Sequence, residues 1–220
     1  MCFSASASFS AAAVTGAIGV ATVSRVHSRN EFPLAVMPIF FAVQQTLEGL
    51  LWINIPDDPT GRIAAGLTQL FLIFALVFWP VYAPFASLSI EDDPKRRKWI
   101  SVCMFAGLIV SAYFLWSLIM GPRTASIQNG HVVYTGDPTL PMFVLYLYPA
   151  ATCLAPMLSS NKIVRLMGLL VFLGSLTAYI AYSEAFASVW CFFAAASSGV
   201  ILYQFETARR QRQAEIVTAG

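Results

Sequence analysis

The chain has 220 residues, 58% hydrophobic and 11% charged, with a formal net charge of +2. Soluble domains carry about 25% charged residues, so a single water-soluble core is set aside in favour of a chain that hides its apolar surface in lipid. The small net charge, with no basic face, argues against a nucleic-acid partner, and cysteines at positions 2, 103, 153 and 191 lack the paired spacing of a zinc ribbon or a disulfide framework.

The first apolar segment, residues 5–24, starts almost at the N-terminus with no basic stretch before it, so it reads as a span and not as a cleavable leader. The second, 33–54, opens at Pro33 and contains "QQTLEGLLW" from Gln44 to Trp52. "PDDPTG" leads into the third, 63–89, which is over-long; its Pro80 and Pro84 predict a kink in its later half. "EDDPKRRK" separates it from the fourth, 99–120. In the loop that follows, "SIQNGHVVYTGD" places Asn129-Gly130 between short β-prone runs and predicts a small hairpin, either a cap on the bundle or a solvated turn. The remaining segments are 139–158, 166–182 and 185–206. Each comes close to the roughly 20 residues that cross the hydrocarbon core. The expected fold is all-α: a polytopic transmembrane bundle of seven spans over residues 1–208, followed by a short basic cytoplasmic tail, 209–220.

Orientation follows from Lys and Arg. Of the 13 basic residues, Arg25, Arg29, Lys95, Arg96, Arg97, Lys98, Lys162, Arg165, Arg209, Arg210 and Arg212 fall on one side of a seven-span chain, and Arg62 and Arg123 on the other. This predicts an outside N-terminus and an inside C-terminus. Among the acids, Asp57, Asp58, Asp137 and Glu184 fall on the outer side. Glu31, Glu91, Asp92, Asp93, Glu206 and Glu215 fall on the inner side. Glu48 alone is left well inside a span.

Several chemistries are excluded by what is missing. A retinal protein needs a Schiff-base lysine within a helix, whereas Lys95, Lys98 and Lys162 all sit at the inner surface. Haem held by two histidines does not fit His27 inside and His131 outside, and two distant histidines are too few for an intramembrane zinc hydrolase. No phosphate loop, dinucleotide fingerprint or HExxH pattern occurs.

An ionised carboxylate at the bilayer centre costs about 3 kcal/mol on insertion scales, so an intramembrane acid faces the bundle interior and marks a site by default. On a helix Gln44, Gln45 and Trp52 lie within one turn of Glu48 and form one polar stripe with it. Thr68 and Gln69 in the third span, Tyr182 and Ser183 closing the sixth, and Cys191 beside Trp190 in the seventh reach a similar depth, which predicts a pocket in the outer half of the bundle. Gln44, Gln45, Glu48, Trp52 and Gln69 are the candidate ligand-binding residues. A protonated Glu48 bonded to Gln69 or to a backbone carbonyl, acting only as interhelical glue, is the competing reading. Trp52 and Trp190 read more readily as interfacial anchors.

"MCFSASASF" at the start carries the other candidate. Removal of Met1 would leave Cys2 with a free amine beside its thiol, a chelate for a soft metal or a nucleophile. Cys2, Glu48 and Cys191 then form an alternative metal or catalytic set. A Cys2–Cys191 disulfide and a plain buried thiol compete with it.

"MCFSASASF" and "QQTLEGLLW" together resemble an uncharacterised family of small bacterial integral membrane proteins. Its members begin Met-Cys-Phe-Ser-Ala and carry Gln-x-x-Glu-Gly-x-x-Trp, matched here by Gln45, Glu48, Gly49 and Trp52. The resemblance implies a multi-pass protein of the bacterial inner membrane and adds no substrate or cofactor. The expected function is binding, transport or sensing of a small ligand, proton or cation around Glu48. The alternative is a membrane-embedded enzyme or metal centre. The lipid bilayer and a small ligand are the expected partners, and self-association stays open.

Overall fold

The computed structural model describes residues 4–58, 61–121, 123–135, 140–181 and 185–219, with side chains to residue 214. In chain order the helices are α1 (Ala5–Val23), α2 (Phe32–Asn54), α3 (Arg62–Ser89) and α4 (Pro94–Met120). A hairpin of β1 (Ala125–Gln128) and β2 (His131–Tyr134) follows. Then come α5 (Met142–Met157), α6 (Lys162–Ala181), α7 (Phe186–Ala196) and α8 (Ser198–Ala219). Six helices are long and apolar enough to cross a membrane, α7 and the first part of α8 counting as one run, Phe186–Ala214. The segment read as a fifth span forms a shorter apolar helix, and α8 continues through the residues read as a tail.

Local chemistry sets several of these ends. Ser4 caps α1 by accepting the Ala7 N–H at 3.2 Å, and Asp93 caps α4 through the Lys95 and Arg96 amides, with Pro94 in the first turn where its missing N–H costs nothing. Where the sequence predicts a kink, α3 contains a π-helical stretch, Ile73–Phe78, just before Pro80. In that register Trp79 N–H bonds Phe74 O, so the next donor would serve Ala75 O, and Pro80 has none to give. The Tyr148 hydroxyl of α5 donates to Ala75 O instead, and Ser111 Oγ of α4 donates to Val77 O at 2.7 Å.

Small residues bring the helices together. A Cβ at Gly19 would lie 2.4 Å from the Ile39 side chain and 2.9 Å from its backbone nitrogen, so α1 and α2 pack almost backbone to backbone. Thr22 Oγ1 crosses the same seam to Ala35 O at 2.6 Å. At Gly107 of α4 a Cβ would meet Pro80 O at 1.9 Å, the carbonyl that Pro84 cannot bond from one turn on. Gly168 of α6 packs against Met157 and Cys153 of α5, whose own π-helical stretch, Ala150–Leu154, follows Pro149.

The hairpin turns on Asn129 and Gly130, both at positive φ, the conformation that favours an Asn-Gly pair. It covers one end of the bundle, where Val132 is fully buried with Leu51, Ile55 and Phe71, and Tyr134 stacks on Phe71 at 4.8 Å. At the opposite end the basic loops lock together. Arg25 bonds Glu206 at 2.9 Å and Arg212 bonds Glu31 at 3.4 Å. Arg96 donates to Leu158 O at 2.8 Å, and buried Glu91 accepts from Asp93 N, Ser159 Oγ and Ser160 N at 3.1, 3.0 and 2.6 Å.

Candidate functional site

Helices α2 and α7 run antiparallel and meet through a two-rung polar ladder. Gln44 and Glu48, one turn apart on α2, face Cys191 and Ser188, one turn apart on α7. Ser188 Oγ donates to Glu48 Oε1 on the upper rung. On the lower rung Gln44 Nε2 donates to Cys191 Sγ at 3.0 Å, and its Oε1 accepts Trp79 Nε1 at 2.6 Å. Trp79 comes from α3, placed by the π-helical stretch and held by stacking on Phe41 at 4.2 Å. Glu48, Gln44 and Ser188 are each 0% exposed. Glu48 sits six residues before the end of α2, about 9 Å along the axis from the hairpin end.

Gln45 turns to the neighbouring face. It is 1% exposed, and neither its Nε2 nor its Oε1 has a hydrogen-bond partner among the described residues. Gly49, one turn on, shares that face and lies against the ring of Phe9 in α1, so close that a Cβ there would stand 2.8 Å from the ring. Ser8, also on α1 and 0% exposed, has an unpartnered Oγ among the described residues. The seam between α1 and α2 thus encloses polar atoms beside the acid. Gln45 and Glu48, three residues apart, are neighbours on the helix surface.

The other expected residues are placed differently. Trp52 is half-buried, its indole N–H enclosed and unpartnered among the described residues. Gln69 is half-buried on α3 and outside the ladder, while Thr68 Oγ1 bonds Ala64 O of its own helix at 2.7 Å. Trp190, read as an interfacial anchor, is buried: its Nε1 donates to Val171 O of α6 at 3.1 Å, and its ring packs between Tyr148 and Phe186. Cys2, Tyr182 and Ser183 lie outside the described residues. Among the described residues no group of three or more His, Cys, Asp or Glu could hold a metal ion, and Cys103, Cys153 and Cys191 are free thiols.

The partners that sequence reasoning missed are Ser188 and Trp79. Ser188 carried a usable signal, since its three-residue spacing from Cys191 repeats the pitch of Gln44 and Glu48. Trp79 carried none, because its place depends on the π-helical turn before it.

A cavity of about 750 Å³ adjoins α7 on the side away from α2. Cys191 belongs to its wall and to the ladder at once.

A family model described as a family of unknown function (DUF6629) matches residues 1–218. No curated protein and no solved structure matches the chain.

Proposed function

The chain belongs to that family of unknown function, and from this premise we propose that it is a seven-span membrane protein that binds a small polar ligand, proton or cation in the outer half of its bundle, between Gln45 and Glu48. The observation that carries the reading is Gln45. A buried polar group left unsatisfied costs about 1–3 kcal/mol, and a side-chain amide with both ends unpaired in the protein is the recognisable half of a binding site. Glu48 supplies the adjoining acid, held in one rotamer by Ser188, and Gln44 fixes the helix beneath it through Cys191 and Trp79. An acid inside a span can take up a proton or neutralise a cation at that depth, which is the chemistry that transport and sensing share. Trp52 closes the same stripe toward the hairpin.

The seven-span reading rests on α5. Its eight, five and three residues in successive helical stretches cover about 24 Å, short of the roughly 30 Å hydrocarbon thickness. The bilayer accommodates such a mismatch by local thinning at a modest cost. Leu158, just past its end, meets Arg96 at the basic end of the bundle. The basic loops gathered there support a cytoplasmic placement for that end, an outside N-terminus and, in a bacterium, the inner membrane. The competing centre of Cys2, Glu48 and Cys191 uses the same acid but depends on the N-terminal thiol.

Native mass spectrometry of the full chain in mild detergent tests the proposal. The wild type is expected to retain a small non-covalent mass, or to show proton uptake at Glu48 in an infrared titration of its carboxyl band. Glu48→Gln and Gln45→Leu should weaken either property at least tenfold while leaving membrane insertion and helix content unchanged, and Cys2→Ser should leave both intact. A wild type showing neither property overturns the reading, and loss of a metal-sized mass in Cys2→Ser transfers the site to the competing centre.

A further inference from the structure

The cavity on the far side of α7 does not have the chemistry of the Glu48 site, and its walls say what fits it. Each wall is a stripe at helical spacing: Leu72, Ala75 and Leu76 from α3, Phe114 and Leu118 from α4, Phe186 and Trp190 from α7. Several polar atoms deep in these walls are already engaged by the protein. Tyr148 donates to Ala75 O, Trp190 Nε1 to Val171 O, Ser175 Oγ to Phe172 O at 2.7 Å, and the Cys191 thiol accepts from Gln44. A polar solute reaching this inner part would lose its water and find few partners in exchange. An alkyl chain would lose nothing.

The cavity is open sideways. Helices α5 and α6 touch near the basic end, where Gly168 lets Met157 and Cys153 approach, and the part of α5 before Pro149 packs on α4 instead of α6. Residues facing the gap belong to the outer surface of the bundle as well as to the cavity: Leu145 and Tyr146 on α5 are 51% and 68% exposed, and Leu176 and Tyr179 on α6 are 45% and 67%. In a spanning bundle these side chains face hydrocarbon. The two tyrosines stand near the hairpin ends of their helices, at the level where aromatic side chains meet the headgroups. Polar lining residues gather at that same end, in Ser117, Arg123, Tyr134 and Thr135. The polarity gradient runs from headgroup depth inward, as it does in a lipid, and the volume lies within the range of sites that enclose a whole ligand.

We propose that this cavity is a lateral lipid site, in which a glycerophospholipid enters between α5 and α6, places one acyl chain against Phe114, Trp190 and Leu176, and leaves its headgroup at the hairpin rim. Lipid tails are as apolar as the leucines they would replace, so the site selects by shape and aromatic packing and not by transfer from water. The site lies across α7 from Glu48 and is independent of what binds there.

The test uses full-length protein in mild detergent, titrated with dioleoyl phosphatidylglycerol and read by native mass spectrometry. Wild type and Glu48→Gln should both saturate at one tightly held lipid per chain. Leu176→Trp and Leu145→Trp, which fill the mouth from opposite helices, should cut retention at least fivefold. Leu108→Trp, at an exposed α4 position outside the cavity, should change nothing. Thermal unfolding of each variant checks that it is folded. A wild type that holds no lipid, or a graded lipid series identical in all four variants and so attributable to the lipid annulus, overturns the proposal. Loss of lipid in Glu48→Gln alone would overturn the independence of the two sites.

Discussion

At the scale of single residues, the two neighbouring glutamines make opposite demands. Gln44 spends both ends of its amide on Cys191 and Trp79, tying three helices together. Gln45 has no such bond among the described residues. Interhelical hydrogen bonds in membrane proteins contribute about 0.6 kcal/mol on average and up to ~1.7, and stranding a buried partner adds to the loss. Gln44→Leu should therefore destabilise the protein by about 1–3 kcal/mol in reversible unfolding in detergent micelles. Gln45→Leu should leave stability in ligand-free detergent unchanged or raise it, since it removes a buried amide with nothing to lose. Equal destabilisation by the two would show that Gln45 is structural and would remove the main support for a ligand beside Glu48. The stripe itself was legible: the spacing of Gln44, Gln45 and Glu48 around one charge-capable residue marks it without any structure. Its partners were not, because Gln69 reaches the expected depth as well as Ser188 does, and only the packing order of helices decides which one faces the acid.

At the scale of elements, prolines and glycines act in pairs. Pro80 and Pro84 free carbonyls in α3, and the neighbouring helices come to them: Tyr148 by a hydrogen bond to Ala75 O, Gly107 by having no Cβ to keep it away from Pro80 O. Gly107→Ala would force a Cβ to within 1.9 Å of Pro80 O, and the backbone cannot yield as a flexible side chain could. We expect the full-length variant to lose several kcal/mol or fail to accumulate in the membrane. Gly66 of α3, with nothing within 4 Å of its Cβ position, gives the matched control: Gly66→Ala should stabilise by about 0.5–1 kcal/mol through helix propensity alone. If both variants accumulate and unfold alike, the close α3–α4 approach is not part of the folded state. From the sequence, the two prolines announce a kink but not its form. The π-helical turn depends on which donor Pro80 lacks in a register five residues long, and on a tyrosine 68 residues downstream of that proline.

At the scale of the whole molecule, the basic end is a clamp, and under the proposed orientation it is an address as well. Glu91 joins the loop between α3 and α4 to the start of α6. Burial alone would raise its carboxyl, yet hydrogen bonds from Ser160, Asp93 and Ser159 outweigh it and hold the group below its ordinary value of 4.5. A carboxyl lowered in the folded state contributes stability that is present above the unfolded value and is lost as pH falls through the folded one. The unfolding midpoint should thus be insensitive to this group at neutral pH and decline on acidification below about 4.5, and Glu91→Gln should lower the neutral midpoint and flatten that acid limb. An unchanged acid limb in Glu91→Gln would show that the clamp carries no charge. The same end holds eleven of the 13 basic residues, and the hairpin end has two. Several of the eleven are committed to contacts, Arg25 and Arg212 to acids and Arg96 to carbonyls, but insertion reads the charge on the nascent chain before those contacts form. In a Cys2→Ser background, a thiol placed at exposed Gln128 in the hairpin should react with an impermeant maleimide on intact cells, and one at Gln213 in α8 only after the membrane is opened. Labelling of both from the same side would leave α5 folded back within one leaflet. The bundle would then have six crossings, and the Glu48 site could not keep both the outer depth and the cytoplasmic tail assigned to it.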